Sequence, residues 1–137
     1  MRVKASALVA VLSLMAAAVP VSAHHSFAAE YDANKPITIT GTVTKLEWMN
    51  PHARFYVEVK DADGKVTNWM IEVGAPNGLL RRGFTKQSLL PGTDIMIEGW
   101  QAKDGSNRAN GSNITLPDGK KLFVGSQGTG APTEGPK

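Results

Sequence analysis

The chain has 137 residues, a formal charge of +3, 42% hydrophobic residues and no cysteine. That length suits one small domain, and the missing thiols exclude disulfides, thiolate metal sites and thiol catalysis. Arg2 and Lys4 carry two of the three net charges, so the rest of the chain stands near +1, a poor match for binding nucleic-acid phosphates.

In chain order, a basic start, an apolar run from Ala5 to Val19 and the small-residue ending Val21-Ser22-Ala23 predict a cleaved secretory signal over residues 1–23. The apolar run, about 15 residues, is shorter than the roughly 20 that a membrane span needs. An uncleaved anchor is the alternative. Removing 23 residues from 137 leaves 114, with His24 first and His25 second. No lipobox cysteine is present, so the expected product is a periplasmic protein without lipid or membrane span.

Residues 24–35 read as a lead segment carrying Phe27 and Tyr31. Strand one starts at Pro36. Ile37, Ile39, Gly41 and Val43 alternate with threonines; then the phase slips, and Leu46 and Trp48 become the apolar pair. A glycine followed by a one-residue slip marks a bulged strand that bends between sheets. Strand two is Arg54–Lys60, with Phe55, Val57 and Val59 on one face. Asp63-Gly64 closes a hairpin into strand three, Val66–Val73. The same Asp61–Glu72 stretch lacks the glycine that a calcium loop needs at its sixth position, where Val66 stands.

Residues 74–90 lose the alternation. Pro76 suits a helix start, Leu79 and Leu80 give it an apolar side, and Gly83 ends it. Thr85 caps a further turn through Ser88, with Leu89 and Leu90 inward. Strand four is Asp94–Gln101, strand five Arg108–Leu116, and a short last strand Lys121–Val124. From Gly125 to Lys137 the composition predicts a disordered tail.

Three strands, one short helix and two or three more strands, with a bent first strand, is the order of an OB-like barrel. The expected fold is therefore all-β: a five- to six-stranded OB-like barrel over residues 36–124, plugged by Leu79, Leu80 and Phe84. The inward set is Ile39, Val43, Phe55, Val57, Ile71, Ile95 and Ile97. A split β-sandwich is the alternative.

The run His24-His25-Ser26-Phe27-Ala28-Ala29-Glu30-Tyr31-Asp32, with Gly41-Thr42-Val43 and Asn50-Pro51-His52, resembles a family of small secreted bacterial proteins, domain of unknown function 6152. So do Pro76-Asn77-Gly78-Leu79-Leu80-Arg81-Arg82-Gly83 and Ala102-Lys103-Asp104-Gly105-Ser106. The likeness runs in order through nearly the whole mature chain. It implies export and a compact β-domain, and it implies no activity. The chain is also similar, in fold and ingredients, to the small periplasmic OB-type barrels that act as copper and silver chaperones. Those bind Cu(I) through a histidine, two methionines and a stacked tryptophan. Trp48, Met49, His52, Trp69 and Met70 supply the same residue types on other strands and spacings, so no ligand is carried over.

The residues themselves point to copper. A first-position histidine offers its amine and imidazole to one ion, and His25 or His52 can add a second imidazole. Nitrogen donors of this kind favour Cu(II), which heads the divalent affinity order. The expected metal ligands are His24, His25 and His52, with Met49 as a soft ligand; Met70 and the tryptophans read as core or rim. The competing readings are solvent-exposed histidines and, for His52, a turn residue bonded to a carbonyl. Glu47, Glu58, Glu72 and Glu98 fall on exposed strand faces by alternation.

Enzyme signatures are missing: there is no nucleophile elbow, zinc-protease helix, phosphate loop or dinucleotide fingerprint. The expectation is a monomeric binding protein, without nucleic acid, that takes copper. The alternative is a metal-free module docking an envelope protein or small ligand around Tyr56, Arg54 and Arg81, with Arg81-Arg82 otherwise read as a solvated helix end.

Overall fold

The computed structural model describes residues 26–136. A four-residue helix α1 (Phe27–Glu30) leads into β1 (Tyr31–Glu47), followed by β2 (Arg54–Lys60) and β3 (Val66–Glu72). Helix α2 (Pro76–Arg81) and a 3₁₀ turn (Lys86–Ser88) precede β4 (Asp94–Ala102), β5 (Arg108–Thr115) and β6 (Lys121–Phe123). The sheet order is β3-β2-β1-β4-β5-β6, and a parallel pairing of β3 with β5 closes five of these strands into a ring. The expected all-β, OB-like architecture is the observed one. None of the helices among the described residues is long and apolar enough to cross a membrane.

β1 closes the ring by serving two neighbours. Its first part pairs with β4 from Tyr31 to Thr42, and its last part pairs with β2 from Thr42 to Glu47. Gly41 sits at the changeover, where a Cβ would collide with the Glu58 carbonyl and the Val57 side chain. The register then shifts between Val43 and Lys45, which is the phase slip read from the sequence: one extra residue turns the apolar face onto the new partner. The strand starts at Tyr31 rather than Pro36, with a register irregularity between the two.

The β2–β3 turn forms where Asp61 Oδ1 accepts from the backbone N–H groups of Asp63 and Lys65, and Gly64 takes a φ of +81°. Short acidic side chains favour such turns by replacing a backbone acceptor. Inside the ring, Ile39, Val43, Phe55, Val57, Ile71, Ile95 and Ile97 are all buried, as alternation requires. Leu79 and Phe84 plug one end, with Trp48 stacked on Phe84 at 6.2 Å.

Two leucines depart from the expected plug. Leu80 is 49% exposed and Leu90 58% exposed. In a six-residue helix only one of two consecutive leucines can face the barrel, and Leu79 takes that place. Leu89 likewise fills the inward position next to Leu90. Thr85 does cap the following turn, accepting from the Gln87 amide while Ser88 Oγ accepts from the Thr85 amide.

A second apolar cluster lies outside the ring: Phe27, Tyr31, Trp100 and Ala102, with Phe27 edge-on to Trp100 at 5.7 Å. The segment expected to be a disordered tail from Gly125 helps cover it. Phe27 N–H donates to the Thr129 carbonyl at 2.9 Å, Ser126 Oγ donates to the Val73 carbonyl at 3.1 Å, and Ala131 packs on the cluster. Its composition is polar, and it is held mainly by hydrogen bonds, with Ala131 as an apolar contact.

Candidate functional site

His52 lies on the loop between β1 and β2, just after a cis Asn50–Pro51 peptide. Its neighbour Ala53 is fully buried and exchanges backbone hydrogen bonds with the two residues that follow β3: Ala53 N–H donates to the Gly74 carbonyl and Val73 N–H to the Ala53 carbonyl. That lattice fixes the loop and brings the His52 ring to Glu72. Nδ1 of His52 stands 2.8 Å from Oε1 of Glu72, with both side chains largely covered. An ionised carboxylate only accepts, so the proton of the pair sits on Nδ1 and a neutral ring keeps its lone pair on Nε2.

Glu72 is the residue that alternation misplaced. It was expected on an exposed strand face, yet its side chain is only 13% exposed. The outward face of β3 is roofed at this point by the start of β1. Tyr31 O–H donates to Glu72 Oε2 at 3.4 Å, and Arg54 Nε stands 4.0 Å from the same oxygen. Burial, chiefly, and then the charge of Glu72 push the Tyr31 phenol up to about 12. Beside it Arg108 pairs with Glu30 of α1. No pattern within β3 announces this cover, because it comes from a residue 41 positions away.

His52 also lines a hollow of about 320 Å3 between α2 and the C-terminal segment, together with Asn77, Arg81, Arg82 and Thr129. Thr129 is the residue whose carbonyl receives the Phe27 amide. The point where the described chain enters the fold is therefore tied to the rim of the same hollow.

Of the expected metal ligands, His24 and His25 lie outside the described residues. Met49 is 44% exposed on the loop before His52. Among the described residues no three His, Asp or Glu side chains converge as a metal site. Met70 is half-buried on β3, and Trp69 packs against the core from that strand. Of the alternative docking set, Tyr56 donates to Glu47 Oε2 and carries Lys45 over its ring at 5.4 Å, while Arg54 stands by Glu72.

The model of a family described as a family of unknown function (DUF6152) matches residues 10–112. No curated protein matches the chain.

Proposed function

The chain belongs to DUF6152, a family of unknown function, and on that footing we propose that it is an exported, periplasmic protein that binds copper and catalyses nothing. The donors are the amine and imidazole of His24 once the signal is removed, with His52 and His25 as further imidazoles and Met49 at the margin. The observation that carries this reading is the contact between His52 Nδ1 and Glu72 Oε1 at 2.8 Å. A histidine that ligates metal commonly donates its other ring N–H to a carboxylate, which fixes the tautomer and strengthens the free nitrogen.

Reach supports the same reading. His25 and His24 precede Phe27 by two and three residues, about 7 to 10 Å of extended chain. Phe27 is pinned to Thr129, and Thr129 and His52 line one hollow. Copper would supply a Lewis-acidic, redox-active centre; the chain's own part is to orient His52 through Glu72 and to hold the lead segment at Phe27.

The test is a Cu(II) titration of protein whose first residue is His24, beside the same protein with one added residue before it. The native start should bind one equivalent at micromolar concentration or below, and the extension should weaken binding at least tenfold, because the amine then no longer chelates with that imidazole. Equal binding by both forms, or none by either, would falsify the chelate.

A further inference from the structure

We infer that the hollow between α2 and the C-terminal segment is a binding site for a small oxyanion, a phosphate- or carboxylate-bearing molecule, recognised by Arg81 and Arg82. The inference shares the hollow and His52 with the copper reading, but its recognition elements are Arg81 and Arg82 and it needs none of the residues before Ser26.

Its base is an unbalanced charge. Arg81 and Arg82 both line the hollow, and no acidic side chain does. Among the described residues neither arginine makes an ion pair. Arg82 is half-buried, with its guanidinium over the Phe123 ring at 4.9 Å and Nη1 donating to the Gly125 carbonyl at 3.0 Å. Those contacts orient the fork while using one of its five N–H donors. Its Nη2 lies 4.0 Å from where a Cβ on Gly78 would stand, so the absence of a side chain there leaves the hollow open beside the guanidinium. Burial and the neighbouring Arg81 charge both lower the Arg82 pKa from its ordinary value, the direction expected where a cation lacks its counter-charge.

A solvated helix end does not account for this arrangement, since an arginine serving only the helix terminus would extend into water rather than lie against Phe123. The remaining lining adds neutral hydrogen-bonding groups, the Asn77 amide and the Thr129 side chain, beside His52. The volume of about 320 Å3 is at the lower end of ligand pockets and leaves room for a small oxyanion. Two oxygens on one centre match a guanidinium fork.

The test uses metal-free protein, titrated at constant ionic strength with inorganic phosphate in one arm and succinate in the other, and followed by amide chemical shifts. One of the anions should saturate a single site, with shifts centred on residues 74–82 and 125–129. The tighter arm identifies the ligand's acid group. Arg81→Gln, an exposed change that leaves the Phe123 and Gly125 contacts in place, should weaken binding at least tenfold. Arg82→Lys, which keeps the charge and loses the fork, should also weaken it. Lys65→Gln, on the distant β2–β3 turn, should change nothing. No saturation by either anion, or equal weakening by Lys65→Gln and Arg81→Gln, would overturn the proposal.

Discussion

Nδ1 of His52 and Oε1 of Glu72 meet at 2.8 Å although one residue sits on a loop and the other ends a strand 20 positions later. The pair turns a strand-face glutamate into the orienting partner of the one described histidine. If that partnership serves metal binding, Glu72→Gln should weaken Cu(II) binding by about 10- to 100-fold, the usual cost of losing a ligand's carboxylate partner. An amide can still accept from Nδ1, so the fold should survive. Circular dichroism would check the fold and isothermal titration the affinity; unchanged affinity would separate Glu72 from the metal.

Phe27 holds the lead segment through Trp100 and Thr129. Phe27→Ala removes a buried ring, a change that costs about 3–5 kcal/mol in a closed core and less at this covered edge. The barrel should remain folded while Cu(II) affinity falls, because the proposed chelate relies on Phe27 to tie the lead segment to Thr129. Wild-type affinity in a variant whose lead-segment amides exchange freely would show that Phe27 does not position the donors.

Tyr31 predicts an alkaline limit to stability. Its pKa rises from the ordinary 10 to about 12, so the folded state holds the phenol proton more tightly than the unfolded chain does. Stability from this group is complete below pH 10 and is lost as pH rises from 10 to about 12. Denaturation midpoints for the wild type should fall more steeply across that window than those of Tyr31→Phe. Parallel curves would assign the loss to other groups.

The plug distinguishes neighbouring leucines. Leu79→Ala should destabilise by about 2–5 kcal/mol, as should Ile97→Ala in the barrel centre. Leu80→Ala, at an exposed position, should stay within roughly 0.5 kcal/mol. Urea unfolding of the three variants decides it, and equal losses at Leu79 and Leu80 would contradict the orientation of α2.

Gly41 marks where β1 changes partner. Gly41→Ala forces a methyl into the Glu58 carbonyl and the Val57 side chain, and overpacking of that kind costs about 1–3 kcal/mol or more. The loss should appear as a lower melting temperature with early exchange of the β1–β2 amides. A neutral substitution would mean that β2 can move aside.

Much of the fold is legible before folding because its signals are local. Alternation in β2 and β3 names the inward residues, Asp-Gly pairs name the turns, and Gly41 with its phase slip announces the bend that lets one strand serve two neighbours. Each signal lies within a few residues of the structure it dictates. A helix of six residues is too short for periodicity to choose between Leu79 and Leu80, so the barrel mouth chose.

The site was legible only in its ingredients. The sequence alone determined that imidazole chemistry rests on His24, His25 and His52, since there is no other histidine and no thiol. Tertiary structure decided what surrounds His52. Glu72 reads as a solvent-facing residue by period, and Arg81-Arg82 reads as a helix end. Both meet segments far away in the chain: Tyr31 covers Glu72, Arg82 donates to the Gly125 carbonyl, and Gly125 and Thr129 line one hollow with both arginines. Local patterns report which face of an element is apolar. They carry no information about which remote backbone crosses the other face, and that crossing places His52 against its carboxylate and two arginines around one hollow.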